Sequence, residues 1–190
     1  MIVEWTEQTL RDALDQDMAR FGCVHISTSI QMPALPAAEA RQSPDAIEQD
    51  DAKAPRTYSG TASFEEVSRT RYLIRIAGLD LSQYQRNPVV LAQHHPVVPA
   101  TLEPAVIGRI ASVSKVEGRT QLRFRGLEFD TDSLSQAWER KVASGFVRML
   151  SIGFVPHEVQ YVEETVGRGK DAKVLRYLEF VRSELTEISV

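Results

Sequence analysis

Residues 145–154 read GFVRMLSIGF and set one hydroxyl, Ser151, in a mostly apolar run. Side chains of an extended chain alternate between two faces. Val147, Met149, Ser151, Gly153 and Val155 then share one side, and Leu150, Ile152 and Phe154 the other. A glycine inside a strand often marks close approach by a ligand or another backbone. The expectation is a nucleophilic serine with room above it for a peptide. For this stretch alone, the alternative is a serine tolerated on a half-buried face.

Around this stretch the pattern is mostly β. Upstream, residues 133–144 read as a helix, with Ser133 and Gln136 as a capping box, Leu134, Ala137, Trp138 and Val142 as its apolar stripe, and Gly145 as its stop. Downstream, residues 155–165 and 173–182 pair across a turn at 167–171, and residues 185–190 make a final strand. Earlier in the chain, 106–116 and 121–129 form a hairpin turned by Glu117, Gly118 and Arg119. Pro88 leads into a short buried strand, 89–91, that ends at Gln93, His94 and His95. Residues 58–64 and 71–76 read as strands, with a loop and one helical turn over 78–87. Many short strands with glycine-containing turns and one long helix indicate an α+β, mainly β fold built on a closed or strongly curved antiparallel sheet.

The amino-terminal part is set off by composition. Leu10, Ala13, Leu14, Met18 and Phe21 recur at helical spacing, with Thr6 as cap and Gly22 as stop. Residues 23–30 alternate as a strand, with Val24, Ile26 and Thr28 on one side and His25 on the other. Residues 31–55 hold four prolines, seven alanines, five acidic and two basic residues and almost nothing large and apolar. Such a segment buries too little surface to offset its ordering entropy and reads as a linker. The division expected is 1–30 for the helix and strand, 31–56 for the linker and 57–190 for the main domain. The amino-terminal piece is an appendage, a partner-binding element or a strand returned to the main sheet.

With 43% apolar and 25% charged residues, the composition is ordinary for a globular chain of 190 residues. A net charge of −4 and the absence of a basic stripe argue against nucleic acid as a partner. No apolar run is long enough to span a bilayer, and the acidic start MIVEWTEQT is unlike a signal peptide, which points to the cytosol. The lone Cys23 provides neither an internal disulfide nor a cysteine metal cluster.

Serine hydrolysis needs an imidazole to take the hydroxyl proton and a third group to orient that imidazole. His94, at the end of a buried strand, is the base expected. Alternation turns His95 the other way and no HExxH helix is present, so neither a zinc site nor any other cofactor is expected. His157 lies too far along the strand from Ser151 to reach it. On the last strand, Glu187 sits between Thr186 and Ile188, where a carboxylate requires a partner such as an imidazole. Alternation sends the competing acid, Glu184, to the opposite face. No GxSxG elbow surrounds Ser151, so the serine would be presented directly from a strand.

Taken together, DLSQYQRNPVVLAQHH at 80–95, IGR at 107–109, GFVRMLSIGF and the terminal ELTEISV resemble the prohead maturation proteases of tailed bacteriophages, relatives of the herpesvirus assemblins. The resemblance spans residues 58–190 in the same order. It implies an assemblin-like antiparallel β-barrel with flanking helices and a serine endopeptidase that cuts scaffold polypeptide or the delta segment of the major capsid protein, and often itself. Its setting would be the host cytoplasm, inside the assembling procapsid, and its state a homodimer. The family's histidine, serine and acid fall on His94, Ser151 and Glu187. Where the family often has an aspartate after the histidine, this chain has His95. A backbone amide from a loop near Gly108 or Arg109 is the oxyanion donor considered. The contrasting expectation is a non-catalytic capsid scaffold or assembly protein that keeps the fold.

Overall fold

A computed structural model describes residues 6–21, 24–27, 56–94, 105–116, 118, 120–148, 150–169 and 172–190. In chain order these form α1 (Glu7–Phe21), β1 (Val24–Ser27), β2 (Tyr58–Phe64), β3 (Tyr72–Ile74), β4 (Leu79–Asp80), α2 (Ser82–Arg86), β5 (Val89–Leu91), β6 (Val106–Lys115), β7 (Gln121–Phe129), α3 (Ser133–Ala143), β8 (Ser151–Val166) and β9 (Lys173–Ser189). The fold is mainly β with a few helices. Gly22, Cys23, residues 28–55, His95, residues 96–104, Glu117 and Arg119 lie outside the described residues.

β9 is the hub of the sheet. One edge pairs antiparallel with β8 along nearly its whole length, from Val166↔Lys173 to Ser151↔Ser189. Along the other edge β3, β4 and β5 follow one another, each parallel to β9. The chain from 72 to 91 is thus one interrupted strand, broken by a 3-10 turn at Ile76–Gly78 and by α2. The path β1-β8-β9-β5-β6-β7-β2 ends without a pairing between β1 and β2 among the described residues. The sheet is therefore curled and open, and partly parallel, where the sequence suggested an antiparallel barrel. The strands over 71–76 and 89–91 were expected, but parallel neighbours need no hairpin connection, so hairpin signals could not reveal their pairing to β9.

Three further readings change. The strand expected over 145–154 begins only at Ser151. The hairpin expected of 155–165 with 173–182 is present, but the strand expected separately over 185–190 is the continuation of its second arm, β9. Its ladder absorbs Pro156, which has no N–H to give, through register shifts between Pro156 and Val159. In α3 the cap is Asp132, whose carboxylate accepts from the amides of Leu134 and Ser135, and not Ser133. Gly145 ends that helix at φ +75°, as expected.

Most of the buried apolar residues form one core cluster. Leu10 and Leu14 of α1 and Val24 of β1 join Tyr72, Ile74, Val90, Phe124, Ile152, Phe154, Phe180 and Ile188 there. Phe180 makes edge-on contacts with Tyr72 at 5.3 Å and Phe154 at 5.0 Å. Thr6 caps α1 as predicted, with its hydroxyl accepting from the Thr9 amide at 3.2 Å. Among the described residues no helix is long and apolar enough to cross a membrane.

Candidate active site

Ile152 and Phe154 of β8 and Ile188 of β9 are fully buried in the core. With period two, Ser151 and Gly153 on β8 and Glu187 and Ser189 on β9 face away from it. Register joins them: Ser151 is paired with Ser189 and Gly153 with Glu187. Directly opposed residues of antiparallel strands have Cβ atoms about 5 Å apart on one face. Ser151 and Glu187 are therefore diagonal neighbours.

His94 reaches this face by a different route from the one its sequence position suggested. β5 ends at Leu91, so alternation no longer governs the residues that follow. The Ala92 amide donates to Ala105 O at 2.8 Å and the Gln93 amide to Val190 O at 3.1 Å. Gln93 then takes φ +59°, in the left-handed region. This turn swings His94 over β9, where Nδ1 stands 2.6 Å from Glu187 Oε1 and 3.0 Å from Ser189 Oγ. Beneath β5, the buried Tyr84 donates its hydroxyl to Val89 O at 2.8 Å and ties the strand's start to α2. Burial, reinforced by the charge of Glu187, pushes the Tyr84 phenol above its ordinary range.

Gly153 has a role other than leaving room for a peptide. A Cβ built on it falls 2.5 Å from Glu187 Cγ and 3.0 Å from both Cδ and Oε1. The space above the glycine is filled by the Glu187 side chain, which lies across β8 on its way to His94. The side chains of Glu187 and His94 are only 15% and 23% exposed, so the pair is shielded but reachable.

Chemically, the Glu187 carboxylate can only accept, so the neutral imidazole beside it carries its proton on Nδ1 and its lone pair on Nε2. That is the tautomer a general base needs. The structure brings His94 and Glu187 into direct contact and sets Ser151 one cross-strand position from Ser189, itself in contact with the ring. Ser189 was not singled out in the sequence; its place two residues after Glu187 was the signal that could have found it.

This chain is similar in structure to the bacteriophage T4 capsid assembly protease gp21. The TM-score is 0.44 and the identity 12%, over 71% of this chain and 82% of that chain. No protein-family model matches the sequence, and no curated protein does.

Neighbouring groups are placed differently from expectation. A register shift between Gly153 and Phe154 puts Glu184 opposite Val155, on the Ser151 side of β8. Alternation alone predicted the other face. There Glu184 meets the half-exposed His157 at 3.7 Å, away from His94. Gly108 and Arg109 lie inside β6, between β5 and β7, and not in a loop. A Cβ on Gly108 would fall 2.4 Å from Glu128 O, so close strand approach accounts for this glycine. A groove of about 390 Å³ lies beside it, lined by Val89, Val106, Arg109 and Phe129 among others.

Proposed function

We propose that this protein is a serine endopeptidase of phage capsid maturation, with Ser151 as nucleophile, His94 as general base and Glu187 as the acid that orients it. The observation that carries the reading is the 2.6 Å contact between His94 Nδ1 and Glu187 Oε1 on the sheet face that bears Ser151. Its substrates are scaffold polypeptide or the delta segment of the major capsid protein, and the chain itself, inside an assembling procapsid. The likeness of its motifs to the prohead maturation proteases supports that assignment. A homodimer is the assembly proposed, and the protease domain proposed is 57–190 with α1 packed on its core and β1 paired to β8.

In this mechanism His94 Nε2 takes the Ser151 proton as Oγ bonds to the scissile carbonyl carbon. Glu187 stabilises the imidazolium without taking its proton. His94 then gives the proton to the departing amine as the C–N bond breaks. Water, deprotonated by the same nitrogen, bonds to the acyl carbon, and His94 returns that proton to Oγ as the ester bond breaks, freeing the acid and restoring Ser151.

The test is a fluorophosphonate probe with the adduct mapped by mass spectrometry, alongside incubation with a capsid protein carrying its delta segment. Label on Ser151 in the wild type, none in Ser151→Ala, and cleavage lost in the same variant are expected. A folded wild type that takes no label and cuts nothing would favour the scaffold reading.

A further inference from the structure

The hydroxyl of Ser189 stands 3.0 Å from the same His94 nitrogen that Glu187 holds, and the residue is 1% exposed. Its position follows from the sheet. Ser189 lies directly between Ser151 on β8 and Leu91 on β5, paired with both. It sits two residues after Glu187 on the same strand and face, so both side chains rise toward one ring edge. We infer that Ser189 is a positioning residue of this site, a second acceptor that locks the His94 ring with Nε2 toward Ser151. The inference rests on the peptidase reading.

Two groups on one N–H do more than one. One acceptor fixes a distance, whereas two acceptors on different backbone positions fix both distance and ring plane. Turning the ring over would put a carbon against both oxygens, losing the contact to Glu187 and stranding a buried hydroxyl. As His94 becomes imidazolium, the Nδ1 proton grows more acidic and both contacts strengthen, an effect realised only as charge develops.

The geometry also distinguishes this serine from the nucleophile. A serine activated by His94 must face the nitrogen that bears the lone pair, and Ser189 shares the nitrogen bound by Glu187. At 1% exposure it also has no access for a peptide carbonyl.

Threonine and valine provide the test, since they have nearly the same shape and only threonine keeps a hydroxyl. The full chain and its Ser189→Thr, Ser189→Val and Ser189→Ala variants are treated with a fluorophosphonate probe. Maximal labelling rate and half-saturating concentration at Ser151 are read separately, with thermal melting as a check on folding. Valine and alanine are expected to slow the maximal rate about tenfold with the half-saturating concentration unchanged, the loss of one hydrogen bond to a developing charge. Threonine is expected to stay within about threefold of wild type. The alanine variant, smaller than serine, keeps the test open should valine fail to fold. Valine and alanine as fast as wild type, or threonine as slow as valine, overturn the role of Ser189 and leave the peptidase reading standing. Label found on Ser189 overturns the assignment of both serines. A wild type that takes no label overturns the peptidase reading and this role with it.

Discussion

Gln93 and Gly153 carry the geometry of the site at the smallest scale. A non-glycine residue held at φ +59° costs of order 1 kcal/mol or more, and such strain collects where a side chain must be aimed. Gln93→Gly removes that cost and keeps the turn, so melting should hold or rise while probe labelling of Ser151 is retained. Gln93→Val, branched at Cβ, should lose about 1–2 kcal/mol by urea unfolding and most of the labelling, because the left-handed turn that swings His94 over β9 no longer forms comfortably. Gly153 gives the complementary case, in which the native residue must be small. A methyl group 2.5 Å from Glu187 Cγ cannot be accommodated without moving the carboxylate. Gly153→Ala should therefore cost about 1–3 kcal/mol in stability, as overpacking does. Labelling at Ser151 should fall by about 10²-fold, since an ångström of misplacement weakens orientation by that order. Pairing Gly153→Ala with the shorter Glu187→Asp should recover stability without recovering rate. Recovery of both would mean that the longer side chain is not needed to reach His94.

At the scale of elements, α3 is the best defined lever on the site, because its end at Gly145 launches the chain toward Ser151. Its amino end is held by Asp132, whose carboxyl is kept below its ordinary value of 3.8, first by the Ser135 hydroxyl and then by backbone amides. The sign follows. The unfolded chain binds this proton near 3.8 and the folded one resists, so the stabilisation is complete above that pH and fades as pH falls through the lower folded value. Asp132→Ala should cost about 1 kcal/mol by urea unfolding at neutral pH, and the gap from wild type should narrow below about pH 4. The cap also illustrates what was readable. The helix itself was legible from Leu134, Trp138 and Val142, whereas the choice between Asp132 and Ser133 as cap turns on which residue is extended, a one-residue question that periodicity cannot answer. The strands of the β6–β7 hairpin were legible because polar and apolar residues alternate along them. The continuity of β8 and β9 was not, because Pro156 reads as a break unless the partner strand yields a bulge. The same kind of irregularity, beside Gly153, hid the face on which Glu184 lies. His94 and Glu187 could be singled out from chemistry, but their contact depends on the turn at Gln93, which leaves no periodic trace.

For the molecule as a whole, the question is how far the amino-terminal piece belongs to the body that carries the site. β1 is hydrogen-bonded to β8 from Val24↔Phe154 to Ser27↔Ser151, so it covers the outer edge of the strand at the proposed nucleophile. Leu10 and Val24 are fully buried in the same core as Phe154 and Phe180. A chain beginning at residue 56 would lose those side chains and leave the β8 backbone unpaired from Ser151 to Phe154, an open edge beside exposed apolar surface. Burying each large side chain contributes about 1.5–3 kcal/mol, which is a large share of the net stability of a domain. The truncated chain should therefore melt well below the full one, tend to associate, and lose probe labelling at Ser151. Adding residues 1–27 back as a separate peptide should restore part of both melting temperature and labelling, because the strand's place on the sheet is set by register and not by the connection through 28–55. A truncated chain that melts and labels like the full one would make the helix and strand an appendage, with the edge of β8 open to a peptide substrate in place of β1.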